Sequence, residues 1–319
     1  MSDLLISESG APALKLQFRG VRGSTPAPGR GTARYGGNTS CVEVTAGNQV
    51  LILDAGSGIR ELGAELVEAA GSSPVEATIL ISHTHWDHIQ GLPFFAPAFS
   101  ARNHIRVIAP KGKGATLERA LRNQLDPINF PVGFDQMLGL GRVEELASDH
   151  ETLGAFTIGV TNLSHPGGCA GFRIEANGAS IAYLPDHEPF ESICVPMRSA
   201  ISEARRKQLV EFVNGVDLLI LDTQYTETEY RNKIGWGHGC LPDSVALAVE
   251  AGVQHLVFFH HDPAHDDDQL AAMLEQARRL APRDLIITGA VENETITFNS
   301  IDLQAYSSLA GTMLKSAAA

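Results

Sequence analysis

The sequence has 319 residues, of which 44% are hydrophobic and 19% charged, and this composition is typical of a folded globular protein. Its 24 lysines and arginines stand against 37 aspartates and glutamates, and the net charge of −13 argues against a long phosphate backbone as partner. No apolar run is long enough to span a membrane, no signal peptide is recognisable, and the four cysteines include no CxxC pair. We therefore predict a cytoplasmic protein with no membrane partner, no disulfide framework and no thiolate zinc site.

Seven short apolar runs of β-type composition predict strands, and helical patterns lie between several of them. The strands are predicted at residues 50–53, 78–81, 105–108, 156–160, 180–184, 218–221 and 256–259. The helices are predicted at residues 59–70, 115–124, 201–213, 243–251 and 267–280. Because the strands are almost continuously hydrophobic, both faces of each sheet should be covered. The pattern therefore predicts a layered α/β architecture with helices on both outer faces.

The chain shows no linker, repeat or low-complexity stretch that would divide it. We predict one domain over residues 14–302, preceded by an N-terminal extension, 1–13, and followed by a C-terminal tail, 303–319. The tail is weakly patterned, and its end is expected to fray.

Histidine or aspartate follows six of the predicted strands. In chain order these residues are Asp54, His83, His165, Asp186, Asp222 and His260. Since functional groups of layered α/β folds gather at the carboxyl ends of strands, we expect a single convergent site. Asp54 is followed by Ala-Gly-Ser-Gly, and we interpret it as support for this turn through backbone hydrogen bonds, not as a ligand.

The strongest local signal is the run His83-Thr84-His85-Trp86-Asp87-His88. Imidazole nitrogens and carboxylate oxygens are preferred ligands of zinc and similar cations. His83 and His85, two residues apart after a strand, can point to one side, while the following turn directs Asp87 and His88 elsewhere. This pattern favours two adjacent metal ions over one.

The run resembles the HxHxDH signature of the metallo-β-lactamase-fold hydrolases, and further matches follow at His165, Asp186 and His260. The resemblance implies a four-layer αββα sandwich of two mixed β-sheets with helices outside. It also implies two divalent metal ions and no organic cofactor. Zinc is the default metal, and manganese or iron are the alternatives.

The resemblance also assigns the ligands. One metal would be held by His83, His85 and His165, and the other by Asp87, His88 and His260, with Asp186 and a hydroxide bridging them. His261 is the alternative to His260 as the last ligand. A hydroxide between two cations attacks an electrophilic phosphorus or carbonyl, so the implied chemistry is hydrolysis, with Asp87 also counted as catalytic.

Asp222 and the run Gly235-Trp236-Gly237-His238-Gly239-Cys240 resemble the ribonuclease Z and related phosphodiesterase branch. There, an acidic residue pairs with a histidine at a GHS-type turn. The match is partial, because Asp222 replaces the usual glutamate and Gly239 the usual serine. A carboxylate that orients an imidazole makes a general acid for the leaving alkoxide, so Asp222 and His238 are predicted to be catalytic. The alternative is a buried Asp222 with His238 as a helix cap.

The predicted substrate is a small anionic phosphodiester, cyclic ones included. Arg22, Arg34 and Asn38, from an N-terminal block that resembles the same branch, are candidate phosphate contacts. The alternative is a hairpin in which glycines only permit the turn. The basic runs Lys111–Lys113 and Arg205–Lys207 are short and are interpreted as solvated surface, so a large RNA substrate is not favoured.

Other functions stay open at this point. Thioester, lactone or other acyl-ester hydrolysis on the same fold would not need Asp222 and His238. A ribonuclease Z-type RNA endonuclease is a further alternative, and a sensing module without turnover is a third. By resemblance alone, a homodimer is expected.

Overall fold

The structure, a computed structural model, describes residues 14–195 and 199–298. The predicted N-terminal extension and C-terminal tail lie outside the described residues, so the domain limits stay predictions. The described strands are β1 (Leu14–Gly20), β2 (Cys41–Ala46), β3 (Gln49–Leu53), β4 (Glu76–Leu80), β5 (His104–Ala109), β6 (Leu140–Glu145), β7 (His150–Leu153), β8 (Phe156–Leu163), β9 (Cys169–Ala176), β10 (Ala179–Leu184), β11 (Leu218–Asp222), β12 (His255–Phe259), β13 (Ile286–Gly289) and β14 (Thr295–Phe298).

The described α-helices are α1 (Ile59–Ala70), α2 (Trp86–Ile89), α3 (Gly114–Gln124), α4 (Ala200–Val213), α5 (Glu227–Tyr230), α6 (Leu241–Glu250) and α7 (Asp267–Leu280). Short 3₁₀ helices form at Arg30–Thr32, Leu92–Phe94, Ala96–Phe99 and Phe134–Gln136. Among the residues that the structure describes, no helix has the length and apolarity needed to cross a membrane.

The strands form two seven-stranded sheets. The first has the order β14-β1-β2-β3-β4-β5-β6 and the second the order β13-β12-β11-β10-β9-β8-β7. Each sheet is mixed in the same way: β3 to β6 and β10 to β13 are parallel, and the remaining neighbours pair antiparallel. The predicted pair of mixed sheets is thus confirmed.

Three buried clusters show the layers. The largest joins the inner faces of the two sheets, with residues such as Phe18, Phe172 and Phe259 between them. A second packs the outer face of the first sheet against α1 and α3, and a third packs the outer face of the second sheet against α4, α6 and α7. The order is helices, sheet, sheet, helices, as expected from the resemblance.

Each predicted strand and helix forms, with ends shifted by a few residues at most. The α1 and α7 helices have the predicted bounds, and local chemistry explains both. Gly71 ends α1 at φ 55° with its N–H directed to Val67 and Glu68 carbonyls. The Asp266 side chain accepts from the N–H groups of Asp268 and Gln269 and so begins α7.

The seven strands missed from the sequence are β1, β2, β6, β7, β9, β13 and β14. Several of them alternate or lie at sheet edges: β1 buries every second residue at its start, and β6 is largely unburied. Their sequences lack the continuous apolar run by which the central strands are recognised. The central strands nevertheless position the site, because site residues lie at or within three positions after the ends of β3, β4, β8, β10, β11 and β12.

Candidate metal centre

The His83–His88 run lies between β4 and the first turn of α2. His83 is buried in the loop, and His85 stands at the N-cap of α2 in an extended conformation. The helical turn that follows buries Asp87 and His88 while it leaves Trp86 exposed. This local geometry separates the two pairs of side chains, as the spacing predicts.

A first group of candidate ligands consists of His83, His85, His165 and Asp186. His165 Nε2 lies 2.9 Å from His85 Nδ1. Asp186 Oδ2 lies 3.6 Å from His83 Nε2 and 3.5 Å from His165 Nε2. Loops after β4, β8 and β10 supply these residues, so both sheets contribute.

A second group consists of Asp87, His88 and His260. Asp87 Oδ2 lies 3.3 Å from His88 Nε2 and 3.0 Å from His260 Nε2. His260 adopts φ 58°, a left-handed conformation that turns the chain directly after β12. His261 points elsewhere, with Nε2 2.9 Å from the Ala290 carbonyl, so the structure places His260 and not His261 in the group.

Asp186 lies between the two groups and offers one oxygen to each. Its Oδ2 faces His83 and His165, whereas its Oδ1 lies 2.9 Å from His88 Nε2 and 3.3 Å from His260 Nε2. With one oxygen toward each group, Asp186 could contribute to two adjacent metal ions.

The donor set fits divalent metal ions. Among the described residues, His83 Nε2, His88 Nε2 and Asp186 Oδ1 are buried without a hydrogen bond; the last two atoms are close, but not aligned for one. Buried polar atoms rarely remain unpaired unless a ligand satisfies them. Burial, together with the charge of His88, lowers the pKa of His83 well below its ordinary value, which favours the neutral imidazole that binds metals.

The carboxylate of Asp186 stays ionised in the same surroundings. Burial would raise its pKa, but His260, His88 and His83 outweigh burial and hold the pKa well below its ordinary value. Burial would likewise lower the pKa of His260, whereas Asp186 and its hydrogen bond to Asp87 raise that pKa to about 9. Among the histidines, positive charge is favoured at His88 and His260, beside the carboxylates, whereas the pKa values of His83, His85 and His165 are lowered.

Asp54 supports this set directly. Its Oδ2 lies 2.8 Å from His88 Nδ1 and accepts from Ser82 Oγ and from the Tyr183 hydroxyl, each at 2.8 Å, while Oδ1 accepts from the Ser82 N–H. The sequence interpretation of Asp54 as a non-ligand agrees with this placement. The partners of its side chain, however, are the candidate ligand His88 together with Ser82 and Tyr183, not the glycine-rich turn.

Three other candidate ligands are also oriented by contacts with residues that are not ligands. His165 Nδ1 lies 2.8 Å from the Gly237 carbonyl, His260 Nδ1 lies 3.2 Å from Gln224 Oε1, and Asp87 Oδ2 accepts from the Ser24 N–H. Such outer contacts hold ring orientation and tautomer.

The sequence analysis missed five residues that orient the ligands: Ser24, Ser82, Tyr183, Gln224 and Gly237. Ser82 could have been found from its position directly before His83. For Tyr183 and Gln224 the only local signal is a polar group at the end of a buried strand.

Two glycines allow close approach to the ligand rings. A Cβ atom at Gly23 would lie 2.4 Å from His260 Nδ1, and one at Gly237 would lie 2.4 Å from His165 Nδ1. Gly237 also has φ 91°, which other residues rarely adopt.

Asp222 and His238 form a pair at the edge of the ligand set. His238 Nδ1 lies 2.9 Å from Asp222 Oδ2 and 3.9 Å from Asp186 Oδ2. The His238 ring stacks on His260, with centroids 4.8 Å apart. The alternative of a helix-capping His238 does not hold, because α6 begins after Cys240 without a side-chain cap.

The structure gives each of the three predicted substrate contacts partners within the fold, and only Arg22 is enclosed. Arg22 is fully buried, and its guanidinium donates to the carbonyls of Gly36, Asp262 and His265. It joins two loops and is enclosed from any substrate. Arg34 contacts Asp267 and Asp268 at the start of α7.

Asn38 donates from Nδ2 to Glu292 and accepts from Ser57 Oγ. The contacts of Arg34 and Asn38 are therefore also internal to the fold. Sequence spacing could not show this, because Arg22, Arg34 and Asn38 each meet partners more than 200 residues away.

A cavity of about 270 Å³ adjoins the first ligand group. His83 and His85 contribute to its wall, as do Lys111, Lys113 and Asp149. Both lysines are exposed, as the interpretation of a solvated surface predicts, and they also line this cavity. Neither ammonium group forms an ion pair with a described residue.

Comparison with known proteins agrees with the geometry. A family model described as a beta-lactamase superfamily domain matches residues 49–261. Ribonuclease Z of Halalkalibacterium halodurans is 25% identical over 232 residues, which cover 62% of this chain and 75% of that protein. Ribonuclease Z of Picrophilus torridus is 22% identical over 85% of this chain and 92% of its own length.

Solved structures share the fold. The metallo-β-lactamase fold protein YhfI from Bacillus subtilis matches with a TM-score of 0.65 and 18% identity, over 90% of this chain and 100% of its own. A diphosphatase from the PhnP family matches with a TM-score of 0.60 and 20% identity, over 90% and 98%. Because the family model covers more than half of the sequence, the chain belongs to the β-lactamase superfamily, as a hydrolase of the metallo-β-lactamase fold with ribonuclease Z among its relatives.

Proposed function

We propose that this protein is a dinuclear metal-dependent phosphodiesterase that acts on small phosphodiesters, with zinc as the default metal. The observation that carries the proposal is the Asp222–His238 pair beside the two ligand groups. Hydrolysis of an activated acyl bond has less need of a dedicated acid, whereas an alkoxide leaving from phosphorus requires a proton.

The two ligand groups would hold one divalent ion each, with Asp186 between them. When bound, such ions supply the Lewis acidity that activates water and offsets the negative charge of a phosphodiester. The outer contacts of Asp54, Gln224 and Ser24 keep the ligand atoms directed inward. The protein's part is therefore to fix geometry before any substrate arrives.

His238 would deliver the proton to the leaving group. Its Nδ1 lies 2.9 Å from Asp222 Oδ2, and this contact fixes the orientation of the imidazole, so that Nε2 would be the atom that faces the leaving group. Asp222 is in turn anchored by the N–H groups of His187 and Gln224. The leaving oxygen would then receive the Nε2 proton as its bond to phosphorus breaks.

The cavity beside His83 and His85 supports a small anionic substrate. Its volume of about 270 Å³ suits a nucleotide-sized group, and Lys111 and Lys113 add positive charge that Asp149 only partly offsets. Trp86 is 74% exposed directly after His85 and offers a flat apolar surface to a ring. The net charge of −13 supports a small substrate over a large RNA.

The test is turnover of bis(p-nitrophenyl) phosphate, of 2′,3′-cyclic and 3′,5′-cyclic nucleotides, and of thioester and lactone substrates. Metal content is measured on the same preparation. We expect phosphodiester cleavage that depends on metal and falls sharply in His238→Gln. Acyl-ester cleavage that is insensitive to His238→Gln, with no phosphodiester cleavage, would overturn the proposal.

Ribonuclease Z activity is the second candidate, because relatives of that name match 62–85% of the chain. A precursor transfer RNA with a 3′ trailer, incubated beside the small substrates, separates the two candidates. Endonucleolytic cleavage at catalytic rates, with cyclic nucleotides untouched, would favour the RNA.

A further inference from the structure

A second cluster of metal-binding side chains lies outside the dinuclear centre. It consists of Cys194, Cys240 and Asp243, whose ligand atoms all lie within 4.8 Å of one another. Cys240 precedes α6 and stands two residues after His238, Asp243 lies in the first turn of α6, and Cys194 comes from the loop that follows Asp186. The sequence separates the two cysteines by 46 residues, which is why no CxxC-type spacing reveals them.

The three ligand atoms are packed as closely as a coordination sphere. Cys194 Sγ lies 3.4 Å from Cys240 Sγ, and Cys240 Sγ lies 2.8 Å from Asp243 Oδ2. Tetrahedral zinc with sulfur at about 2.3 Å and oxygen at about 2.0 Å separates its ligands by roughly 3.3–3.8 Å. Two sulfurs on such an ion are about 3.8 Å apart and a sulfur and an oxygen about 3.5 Å apart, so both side-chain pairs would move apart by roughly 0.4–0.7 Å when an ion binds.

The loop that carries Cys194 is already bound to Asp243. Asp243 Oδ1 accepts from the Ile193 N–H at 2.8 Å, and Oδ2 accepts from Ser192 Oγ at 2.7 Å. Ser192 Oγ in turn accepts from the Cys194 N–H at 3.1 Å. The cysteine is thus presented to the start of α6 by hydrogen bonds that do not involve its sulfur.

The cluster is buried. Cys194 is 6% exposed, Cys240 is fully buried, and Asp243 is 8% exposed. Tyr225 and Tyr230 pack around both cysteines. The Asp243 carboxylate accepts hydrogen bonds from Ile193, Ser192 and the Cys240 thiol. A divalent cation would replace the thiol proton and bind the carboxylate and the thiolates together.

We propose that Cys194, Cys240 and Asp243 bind a structural zinc ion, with a water molecule as fourth ligand. The ion would fasten the 189–195 loop to the start of α6, and so would brace the turn that holds His238. This site is independent of the dinuclear centre and of the phosphodiesterase proposal, because it uses none of their residues.

The ligand chemistry provides a selective test, since the seven candidate ligands of the dinuclear centre are histidine and aspartate. The full-length protein is stripped of metal and loaded with Co²⁺ under reducing conditions. A cobalt ion bound by thiolates shows intense sulfur-to-metal charge transfer in the near ultraviolet, which nitrogen and oxygen ligands do not give. We expect this band in the natural protein and in Cys41→Ser and Cys169→Ser, but not in Cys194→Ser or Cys240→Ser.

Zinc content and thiol count complete the test. We expect one zinc ion fewer per chain in Cys194→Ser and in Asp243→Asn than in the natural protein, whether or not the dinuclear centre is full. If a variant fails to fold, the charge-transfer band of the natural protein still shows whether thiolates bind the cobalt ion. Absence of that band in folded, cobalt-loaded natural protein would overturn the proposal. Loss of two free thiols without bound zinc, reversed by a reductant, would also overturn it and show a disulfide instead.

Discussion

Two aspartates, one at the end of a strand in each sheet, hold a histidine in nearly the same way. Asp54 follows β3 and lies 2.8 Å from His88 Nδ1, whereas Asp222 ends β11 and lies 2.9 Å from His238 Nδ1. The two pairs differ in what surrounds them. Asp54 and His88 are both fully buried, while His238 is 9% exposed at the edge of the ligand set.

The difference lies in the second nitrogen of each imidazole. His88 Nε2 faces Asp87 and Asp186 and has the surroundings of a metal ligand. The nearest carboxylates to His238, those of Asp222 and Asp186, are reached by its Nδ1, so Nε2 is the nitrogen that would serve a substrate. Under the proposed function, the same Asp–His pair would support metal binding in one place and proton transfer in the other, depending on what the imidazole faces.

The largest effect is expected from His238→Gln, which removes the proposed proton donor and leaves the seven candidate metal ligands unchanged. We expect kcat for bis(p-nitrophenyl) phosphate to fall by about 10²–10⁴-fold, because general acid catalysis contributes that much. Steady-state kinetics and metal analysis check this together. Metal content should stay at the level of the natural protein, and a parallel loss of metal would assign His238 to the ligands instead.

Asp54→Asn should act on metal binding and not primarily on proton transfer. We expect metal affinity to fall by about 10–100-fold, the usual effect of losing a carboxylate behind a ligating histidine. Competition with a chromogenic chelator measures the affinity. Asp222→Asn is the matched control, since the same change in the other pair should lower kcat and leave metal affinity intact. Equal loss of metal affinity in both variants would contradict the different roles assigned to the Asp54–His88 and Asp222–His238 pairs.

His255 is a third histidine to set beside His88 and His238, because its partner is a hydroxyl and not a carboxylate. Its Nε2 lies 2.8 Å from Thr288 Oγ1, and burial lowers its pKa to about 4. Between pH 6.5 and 4 the unfolded chain takes up a proton that the folded chain does not, so stability falls as the pH falls through this window. His255→Gln should remove about 1–2 kcal/mol of this loss.

Urea unfolding at pH 7 and at pH 4.5 measures the His255 effect. The exposed His150 supplies a control, and His150→Gln should leave the pH dependence of the urea midpoint as it is in the natural protein. An unchanged dependence in His255→Gln would show that other groups cause the loss.

The smallest effect is expected at the cavity wall, away from both aspartates. Lys111→Gln and Lys113→Gln should each raise KM for an anionic cyclic nucleotide by about threefold to fivefold, since exposed charge interactions contribute at most about 1 kcal/mol. The kcat value should not change. Lys207→Gln on the exposed face of α4 is the control. Raised salt should weaken the effect of the cavity lysines, and salt independence would argue against a charge interaction.

Local patterns were sufficient to predict the part of this molecule that is built from buried strands and from residues next to them. The central strands are continuous apolar runs, and the residue that follows each run lies at one edge of the two sheets. For that reason the positions of His83, His165, Asp186 and His260 follow from the sequence. Edge and alternating strands such as β1 and β6 lack this signal.

What could not be predicted depends on contacts between distant segments. Arg22 resembles a phosphate contact in the sequence, but its guanidinium is enclosed, and two of the carbonyls that accept from it lie 240 residues or more away along the chain. The meeting of Cys194 with Cys240 depends on how a loop folds against α6. The choice between His260 and His261 depends on a single left-handed residue, because neighbouring side chains in a turn point in different directions.

The glycines at positions 23 and 237 limit the directions in which this enzyme can change by mutation. Any side chain there would displace the imidazole of His260 or His165. Variation that alters substrate preference has to occur elsewhere, at the cavity wall or around Trp86. We therefore expect that variants of this chain with new specificities keep glycine at both positions, next to the candidate metal ligands, even where the surrounding loops differ.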